Sequence, residues 1–547
     1  MLSLWVAKSL GRFVSDTFKA THKLSINYGV RWDLYQPSEE AKDQTSFLDP
    51  TRPNPGAGNL PGALVFAGTK WGDASYGSSY PEKLYHRAFG PRAGLAYGLN
   101  DKTVIRGGFG IFMMQNFYPG WNGGIATDGF NETVGFNGAL GGMQPAFLLQ
   151  NGVPQTFTPP PFINGTFDNG QNGPNYRPFD GDQVPRAYQW NLTVERQVGQ
   201  NLHLSGAYIG NHGSRLLSQL DAINTLNPSL LTSLGPQLND DFAPNQATVD
   251  GVNQPYTGWA GQMAACAPSV AQALRPFPQY CGDLYGQNEN HGWSNYHSLQ
   301  LSATERMSHG LWLLANYTWS KTMTTSEFVQ TSQSGSLFYI SPYERQRNYK
   351  LSYNDLPQMF NLSFAYDLPF GHGRRWLNQG GMINRAVGGW QLSSILQLQS
   401  SPPINFYSGY CNVPAAFAAS CYPGILPGAN PLTTSKGSWD PNSGLKPLFN
   451  VAAFQPASAF NFNFGDGAPI SNLRAFGYAN HDVAITDTIP LTERLHMQIR
   501  FEFFNIWNWH VLGNNFVTDV SSPSFGDWTG SVGDAPRTIQ MGAKLTF

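Results

Sequence analysis

The chain has 547 residues, of which 12% are charged and 14% are aromatic, and it contains 59 Gly and 39 Pro. This mixture disfavours long helices and favours many strands joined by turns. A formal net charge of -2 offers no basic face for nucleic acid, so nucleic-acid binding is not expected. No stretch approaches the roughly 20 consecutive apolar residues of a spanning helix, whereas barrel strands need apolar residues only at alternate positions.

The predicted strands are marked by period-two alternation, which places one set of side chains on each face of a strand. The first strand lies near Phe13 to Phe18. In the second, at 24–34, Leu24, Ile26 and Tyr28 alternate with polar residues or glycine. That run is long enough for the roughly 9–11 residues of a tilted membrane strand. Further runs follow at 299–304, 311–320, 361–368, 390–398, 497–503 and 537–547.

The connections between these strands alternate in length. Short turns rich in Asn, Asp, Gly, Ser or Pro lie near Thr21 and at 100–101, 199–200, 308–310 and 490–492, with a longer turn at 371–381. Long polar segments lie at 36–90, 114–185, 212–295, 323–355, 400–480 and 509–535. Short turns at one rim and long loops at the other are typical of outer-membrane barrels. The predicted fold is therefore an all-β, antiparallel transmembrane β-barrel with short periplasmic turns and long extracellular loops.

The predicted strand number is odd. The hairpins plus a final strand give about 13–14 strands, with thirteen the direct count, whereas single-chain bacterial barrels have an even number. The first residues also lack the apolar core and cleavage site of a signal peptide. We therefore expect residues 1–547 to be one barrel domain of a longer gene product, with Met1 inside it and the barrel only partly contained here.

The alternation also assigns the two faces of the predicted barrel. Apolar positions are expected to face lipid, and polar positions are expected to line the lumen. The lipid-facing set includes Leu301, Leu313, Phe364, Leu396 and Phe501, and the lumen set includes Arg31, Gln300, Asn316, Asn361 and Arg500.

The four cysteines form two close pairs in loop-like sequence, Cys266 with Cys281 and Cys411 with Cys421. Local disulfides in an oxidising compartment are the preferred interpretation. Zinc is the alternative, but neither pair has the two-residue spacing or nearby histidines of a zinc site. His291 and His297 are expected ahead of a strand and His309 in its turn at the opposite rim, so these three do not predict a shared metal.

No arrangement of residues predicts catalysis, a cofactor or a metal site. The carboxylates are scattered without a pair placed for acid and base roles, and no G-x-S-x-G motif occurs between a strand and a helix. The glycines Gly107, Gly108 and Gly110 resemble a phosphate loop superficially, but no helix follows, so they are interpreted as part of a strand. The sequence therefore indicates a protein that is not an enzyme.

Aromatic residues near strand ends have two interpretations. Trp and Tyr at these positions are typical of the interface girdle of a barrel, as expected for Trp32, Tyr35, Tyr317, Trp319, Trp390, Trp507 and Trp509. Aromatics within the long loops could instead stack on a ligand such as a sugar. The loop residues considered for this role are Tyr76, Tyr80, Trp121, Tyr407 and Tyr410.

The last eleven residues, RTIQMGAKLTF, place apolar side chains on one face and end in an aromatic residue. The apolar positions are Ile539, Met541, Ala543, Leu545 and Phe547. This pattern is similar to the C-terminal signal that the barrel-assembly machinery reads in outer-membrane proteins. An ordinary amphipathic edge strand is the alternative, but an exposed apolar edge is an aggregation hazard unless the sheet closes on it.

Several segments in order resemble the barrel of Oar-like TonB-dependent transporters, a family common in acidobacteria. They include FNLSFAYDLPFG at 360–371 and PRTIQMGAKLTF at 536–547, and the others lie at 13–33, 89–113, 184–216, 296–323, 388–406 and 501–513. The resemblance implies transport of an unidentified substrate across the cell outer membrane, with membrane lipid and the assembly machinery as partners. The family's plug and TonB box are not found ahead of Phe13, so the TonB system is a partner only if a plug precedes this chain.

Two other classes of protein fit the same patterns. A surface adhesion or structural barrel would use the same strands but bind a ligand through its long loops without transport. A secreted β-sandwich is the soluble alternative, and it would be extracted without detergent.

Overall fold

The computed structural model describes residues 4–114, 127–131, 134–177, 183–218, 220, 223–282, 284, 289–328, 336–337, 339–371, 373–378, 381, 387–417, 419–441, 447–530, 532–533 and 535–547. Within these residues, thirteen long strands form one sheet in which each strand pairs antiparallel with its neighbours along the chain. The strands are β1 Ser9–Lys19, β2 Leu24–Tyr35, β3 Ala88–Asn100, β4 Thr103–Met113, β5 Arg186–Val198, β6 Leu202–Ser218, β7 Glu289–Ser308, β8 Leu311–Thr324, β9 Gln358–Asp367, β10 Gln391–Gln399, β11 Tyr478–Pro490, β12 His496–Phe504 and β13 Thr538–Thr546. The all-β antiparallel prediction is confirmed.

The register of the sheet shows that the strands are strongly staggered. A row of directly paired residues starts at Leu24, at the short-turn end of β2, and ends at Ala479, at the long-loop end of β11. The intervening members are Tyr97, Ile105, Val194, Gly206, Leu301, Tyr317, Phe360 and Leu398. Such a stagger is what closing a sheet into a barrel of tilted strands requires.

Directly opposed residues of antiparallel strands share a face of the sheet, so this row also defines one continuous face. Its side chains are mainly apolar and accessible; Leu301, for example, is 45% exposed. The register carries Leu313, Phe364, Leu396 and Phe501 on the same face. Because an exposed apolar face of a barrel contacts the lipid, we take this face as the outside of the barrel.

The opposite face is polar over the same strands. Its residues include the row Ser302, Asn316, Asn361, Gln397 and Asn480, each opposed to the next on the neighbouring strand. Arg31, Gln300 and Arg500 lie on this face as well. The two sets of residues assigned from alternation therefore separate onto two faces as predicted.

Some strand limits differ from the prediction. Strand β6 continues to Ser218 and β7 begins at Glu289, so both extend into the segment expected as loop at 212–295. The prediction that His291 and His297 precede their strand was wrong, because both lie inside β7. Polar residues of these extensions hide the alternation, although they still pair across the sheet. The glycines at 107, 108 and 110 lie in β4, as predicted.

The two outermost strands each have one partner among the described residues. Strand β1 pairs with β2, and β13 pairs with β12, but the described sheet contains no ladder between β1 and β13. Every residue of β1 is exposed, as expected of an edge strand.

The six long loops form a folded cap at one rim. Loop 1 is 36–87, loop 2 is 114–185, loop 3 is 219–288, loop 4 is 325–357, loop 5 is 400–477 and loop 6 is 505–537; "the cap" denotes their described residues. Its α-helices are α1 Ser229–Ser233, α2 Trp259–Gln262 and α3 Val270–Ala273, none of them long or apolar enough to cross a membrane. Short ladders join Trp5–Val6 to Glu39–Glu40, Ser46–Asn54 to Leu60–Phe66, Thr248–Val249 to Val252–Asn253, Glu327–Phe328 to Ser336–Leu337, and Lys350–Leu351 to β8. Single 3-10 turns lie at Pro55–Ala57, Gly72–Ala74, Leu140–Gly142, Leu149–Asn151, Gly235–Asn239, Ala264–Cys266, Ala415–Phe417, Lys436–Ser438, Val451–Ala453 and Ala457–Phe460.

The buried apolar core lies in the cap rather than in the sheet. One cluster packs Leu48 of loop 1 against Phe277, Tyr280 and Leu284 of loop 3. A second joins loops 3, 4 and 5 around Trp259, and a third joins loops 5 and 6 around Phe449. These clusters link five of the loops directly, and Tyr176 of loop 2 packs on the first. The cap is thus one packed layer and not a set of separate loops.

Candidate functional site

The inward face of the barrel wall carries charges that are mostly neutralised by neighbours on the same face. Arg31 Nε donates to Asp33 at 2.9 Å, and Arg106 Nε donates to Glu195 at 3.1 Å across adjacent strands. Arg500 pairs with Glu502 in β12. Alternating charges and amides of this kind make a wall that water and polar solutes wet, as expected for a lumen.

A cavity of about 370 Å³ lies on this polar wall where strands β2 to β5 meet. Gly94 of β3 and Gly108 of β4 form its floor, because each lacks a side chain in the row between Asn27 and Asn191. A Cβ at Gly94 would lie 2.3 Å from the Asn27 amide oxygen, so the recess depends on that glycine. Arg92 borders the cavity, with its guanidinium carbon 5.2 Å from the centre of the Phe112 ring. The cavity thus offers a guanidinium, side-chain amides and an aromatic ring face, which are groups that can bind polar solutes.

Hydrogen bonds tie loops 1, 2 and 3 of the cap together. The Leu64 amide of loop 1 donates to the Gly165 carbonyl of loop 2 at 3.1 Å. The Cys281 amide of loop 3 donates to the Gln171 carbonyl of loop 2 at 2.7 Å. Arg177 Nε donates to Glu82 at 2.7 Å, and both side chains are almost fully buried. Breaking one partner of such a pair is costly, so this contact fixes loop 2 on loop 1.

Loops 4, 5 and 6 are held in a similar way. Arg347 of loop 4 donates to the Gly467 carbonyl of loop 5 at 3.0 Å. Arg474 of loop 5 forms an ion pair with the buried Asp355 of loop 4. The Gly409 amide of loop 5 donates to Asp519 of loop 6 at 2.8 Å. A groove of about 690 Å³ between loops 3 and 4, bordered by Leu220 and 342–347, is accessible on this layer.

The structure joins the cysteines in the two close pairs. The Cα atoms of Cys266 and Cys281 are 5.4 Å apart within loop 3, and those of Cys411 and Cys421 are 5.6 Å apart within loop 5. Both disulfides border the buried clusters of the cap. Each therefore closes a short loop beside packed side chains, which limits the conformations open to that loop when it unfolds.

The loop tyrosines considered as ligand contacts do not form one site. Tyr76 packs edge-on against Phe47 within loop 1, and burial raises the pKa of its hydroxyl. Tyr80 is half-buried in the same loop, and burial also raises its pKa. Tyr407 and Tyr410 are exposed in loop 5, where the Tyr407 amide donates to Thr518 of loop 6. Trp121 lies outside the described residues.

Asp168 and Lys350 are among the buried ionisable side chains of the cap whose pKa values are shifted. Burial raises the pKa of Asp168 in loop 2 to about 7, and repulsion from Asp128 adds to the shift. Burial lowers the pKa of Lys350 in loop 4 to about 8, with Glu327 acting in the opposite direction. The period-two alternation used in the sequence analysis could not identify either residue, because both lie in loops. Among the residues that the structure describes, no three His, Cys, Asp or Glu side chains are grouped to hold a metal ion.

The C-terminal strand β13 places four of the apolar residues of the terminal pattern on the outward face. Ile539, Met541, Ala543 and Leu545 lie opposite Phe503, Phe501, Ile499 and Met497 of β12. Phe547 follows the last paired residue and is fully exposed. The terminal pattern is therefore a lipid-facing strip of a strand whose other edge has no partner among the described residues.

The comparison with protein families agrees with an outer-membrane barrel. The family model described as "Outer membrane beta barrel domain" matches residues 4–540. No curated protein matches the sequence. The ferripyoverdine receptor of Pseudomonas aeruginosa is similar at a TM-score of 0.40 and 11% identity, covering 99% of this chain and 38% of the receptor. The ferric-catecholate import receptor Fiu from E. coli K12 is similar at 0.37 and 11% identity, covering 99% and 44%.

BauA, the ferric preacinetobactin receptor from Acinetobacter baumannii, is similar at a TM-score of 0.37 and 8% identity, covering 100% of this chain and 44% of the receptor. The chain therefore spans less than half the length of these three solved structures. The match to the family model covers nearly the whole chain and agrees with the two-faced, staggered sheet. The chain belongs to the outer membrane β-barrel domain family, and its place is the cell outer membrane.

Proposed function

We propose that residues 1–547 form the barrel domain of an Oar-like TonB-dependent transporter, which moves a solute across the outer membrane and carries out no catalysis. The observation that carries this proposal is the continuous polar face, with its paired charges, behind an equally continuous apolar face. A barrel with such a wall encloses a wet path through the membrane. The ordered resemblance of eight segments to that family supports the finer assignment.

The proposal includes further parts of the transporter beyond these strands. Thirteen strands and two edges without a mutual ladder among the described residues leave backbone groups that lipid cannot satisfy, so closure needs additional pairing. An even-stranded barrel with a plug in its lumen would meet that need and would supply the contact with TonB. The outer-membrane lipid and the barrel-assembly machinery are the other proposed partners.

Uptake by cells tests the transport proposal directly. We expect cells that lack the complete gene to stop depleting one class of solute from their medium, and restoring the gene should restore depletion. Because the proposed transport is energised through TonB, deletion of tonB should abolish it at unchanged surface levels of the barrel. Mass spectrometry of spent medium measures the loss. Depletion that is indifferent to both deletions would refute transport.

The cap favours a second candidate, a surface barrel that binds a ligand without moving it. Its basis is the folded layer with an accessible groove beside Tyr343 and the exposed Tyr407 and Tyr410. In this alternative the two proposed disulfides stabilise the binding surface, and the tyrosines stack on the ligand. Ligand retained on whole cells without depletion by energised cells would favour this candidate over transport.

We also propose that Ile539, Met541, Ala543, Leu545 and Phe547 form the signal read by the barrel-assembly machinery. The shared outward face of the first four residues and the exposed ring of Phe547 support this role. Deletion of Phe547 should lower the heat-modifiable fraction of the protein in outer membranes several-fold, whereas Phe547→Tyr should preserve it. Gel migration with and without heating measures that fraction. Equal fractions in the deletion and in the wild type would rule out the signal.

A further inference from the structure

An exposed patch of aromatic and basic residues lies on the outward face of strands β6, β7 and β8. Tyr208 opposes Leu299, which opposes Trp319, and His297 opposes Lys321 one pleat nearer the cap. All five side chains are exposed. The Tyr208 hydroxyl lies 2.8 Å from His297 Nδ1, and the Trp190 ring packs edge-on against the same imidazole at 6.0 Å. The patch is therefore ordered by its own contacts.

The height of this patch on the barrel follows from the length of β8. Strand β8 starts at Leu311, beside the short turn, and Lys321 lies ten residues farther along it. Ten residues cover roughly 34 Å along a strand. At a tilt of about 40° this gives about 26 Å along the barrel axis, close to the ~25 Å height of the apolar band of a barrel. Lys321 and His297 thus lie where the lipid headgroups of the outer leaflet begin.

A groove of about 480 Å³ opens at this place. The groove lies along the edge of β8 between two paired positions. Met323 opposes Leu351 at one of them, and Trp319 opposes Gln358 at the other. The segment 352–357 has more residues than the part of β8 that it passes, so it bulges away from the strand. Pro357 of this segment, Leu299 and Trp319 give the groove apolar walls.

The charge at the groove is positive. Asp355 also borders the groove, but its carboxylate is buried and paired with Arg474, so it does not neutralise Lys321. Lys321 itself forms no ion pair within the part of the chain that the structure describes. Because Nδ1 of His297 faces the Tyr208 hydroxyl, Nε2 is left to donate outward in the tautomer that this contact favours.

We propose that this groove binds a phosphorylated lipid of the outer leaflet. The headgroup phosphate contacts Lys321 and His297, while an acyl chain lies along Leu299 and the Trp319 ring. Basic residues beside an aromatic belt at the membrane interface are suited to anionic headgroups, and the apolar walls suit the chain below them. This site lies outside the lumen, so it is independent of the transport proposal and would exist in an adhesion barrel as well.

Binding of bisphosphorylated lipid A to the purified full chain in detergent tests the proposal. Lys321→Gln should weaken binding about fivefold, the effect of removing one cation near a headgroup. Lys321→Arg should retain wild-type binding, because it keeps the positive charge. Lys102→Gln is the matched control, since Lys102 is an exposed lysine in the short turn at the opposite rim. Heat-modifiable migration of each variant checks that the barrel is folded.

Two further probes separate the headgroup from other ligands. Dephosphorylated lipid A should bind the wild type as weakly as bisphosphorylated lipid A binds Lys321→Gln, and inorganic phosphate alone should not displace bound lipid. Equal binding by Lys321→Gln and Lys102→Gln would overturn the proposal. Equal binding of the dephosphorylated lipid would also overturn it, because the groove would then hold acyl chains without recognising phosphate.

Discussion

Leu301→Arg is expected to destabilise the folded barrel by roughly 2–4 kcal/mol, the cost of a cationic side chain on the lipid face near the bilayer midplane. Leu301 is 45% exposed on the outward face, between Gly206 and Tyr317 in its row. Tyr317 is six residues from the start of β8, which places Tyr317 and the opposed Leu301 near the middle of the apolar band. An arginine at this position must leave water or distort the bilayer. Urea unfolding in lipid vesicles, followed by tryptophan fluorescence, measures the loss.

Ser302→Arg is the matched control, because Ser302 is the next residue of β7 but faces the polar wall beside Asn316. The same charge should cost well under 1 kcal/mol there, since a wet lumen hydrates it. The destabilisation by Leu313→Arg should fall between those of Leu301→Arg and Ser302→Arg, because Leu313 opposes Glu305 near the short-turn rim. Equal destabilisation by Leu301→Arg and Ser302→Arg would contradict the assignment of the two faces.

The face assignment could be predicted from sequence because the period of a strand leaves only two choices. Leu301 and Phe364 fall on one face and Asn316 and Asn361 on the other once the first strand is placed. The exceptions are residues whose chemistry disagrees with their position. Trp312 and Ile395 are apolar, yet the register opposes them to Ala365 and Ser363 on the polar side. Alternation assigns these positions to the polar side but gives no reason for their apolar side chains.

The cap could not be predicted, because its contacts join segments that are far apart and have no period. Asn54 of loop 1 donates to Asn169 at 2.8 Å, and Tyr280 of loop 3 donates to the Gly62 carbonyl at 3.1 Å. Each of these segments taken alone has the composition of an ordinary polar loop. The close spacing of the cysteines gave a local signal, but the buried Glu82, Arg177 and Asp168 gave none, since a charged residue in a long loop is usually solvated.

Asp168→Asn is expected to stabilise the cap at pH 8 by up to about 4 kcal/mol, the upper limit for a pKa moved from about 4 to about 7. Asp168 is 7% exposed, and its Oδ2 has no hydrogen-bond partner among the described residues. Burial raises its pKa in the folded cap, and repulsion from Asp128 raises it further. At pH 8 folding must therefore bury a charged carboxylate, and the neutral amide of asparagine avoids that cost.

The sign of the pH dependence follows from the direction of the shift. Between about pH 4 and pH 7 the folded cap keeps a proton on Asp168 that the unfolded loop has lost, so folding takes up a proton. Cap stability should thus be highest below about pH 4, fall as the pH rises to about 7, and level off above it. Asp168→Asn should remove this contribution and leave the stability of the sheet unchanged.

Hydrogen exchange of individual amides can separate the cap from the barrel. The Leu64 and Cys281 amides, which donate to loop 2, should report opening of the cap, and the Leu313 amide of β8 should report the sheet. Asp101→Asn changes an exposed carboxylate in a short turn and should leave the opening free energies at both sites unchanged. If the opening free energy at Leu64 were the same at pH 5 and pH 8 in the wild type, Asp168 would not be a buried carboxyl that gains a proton on folding. The cap would then tolerate the charge by hydrating it, and loop 2 would be more open to water than its packing against loops 1 and 3 indicates.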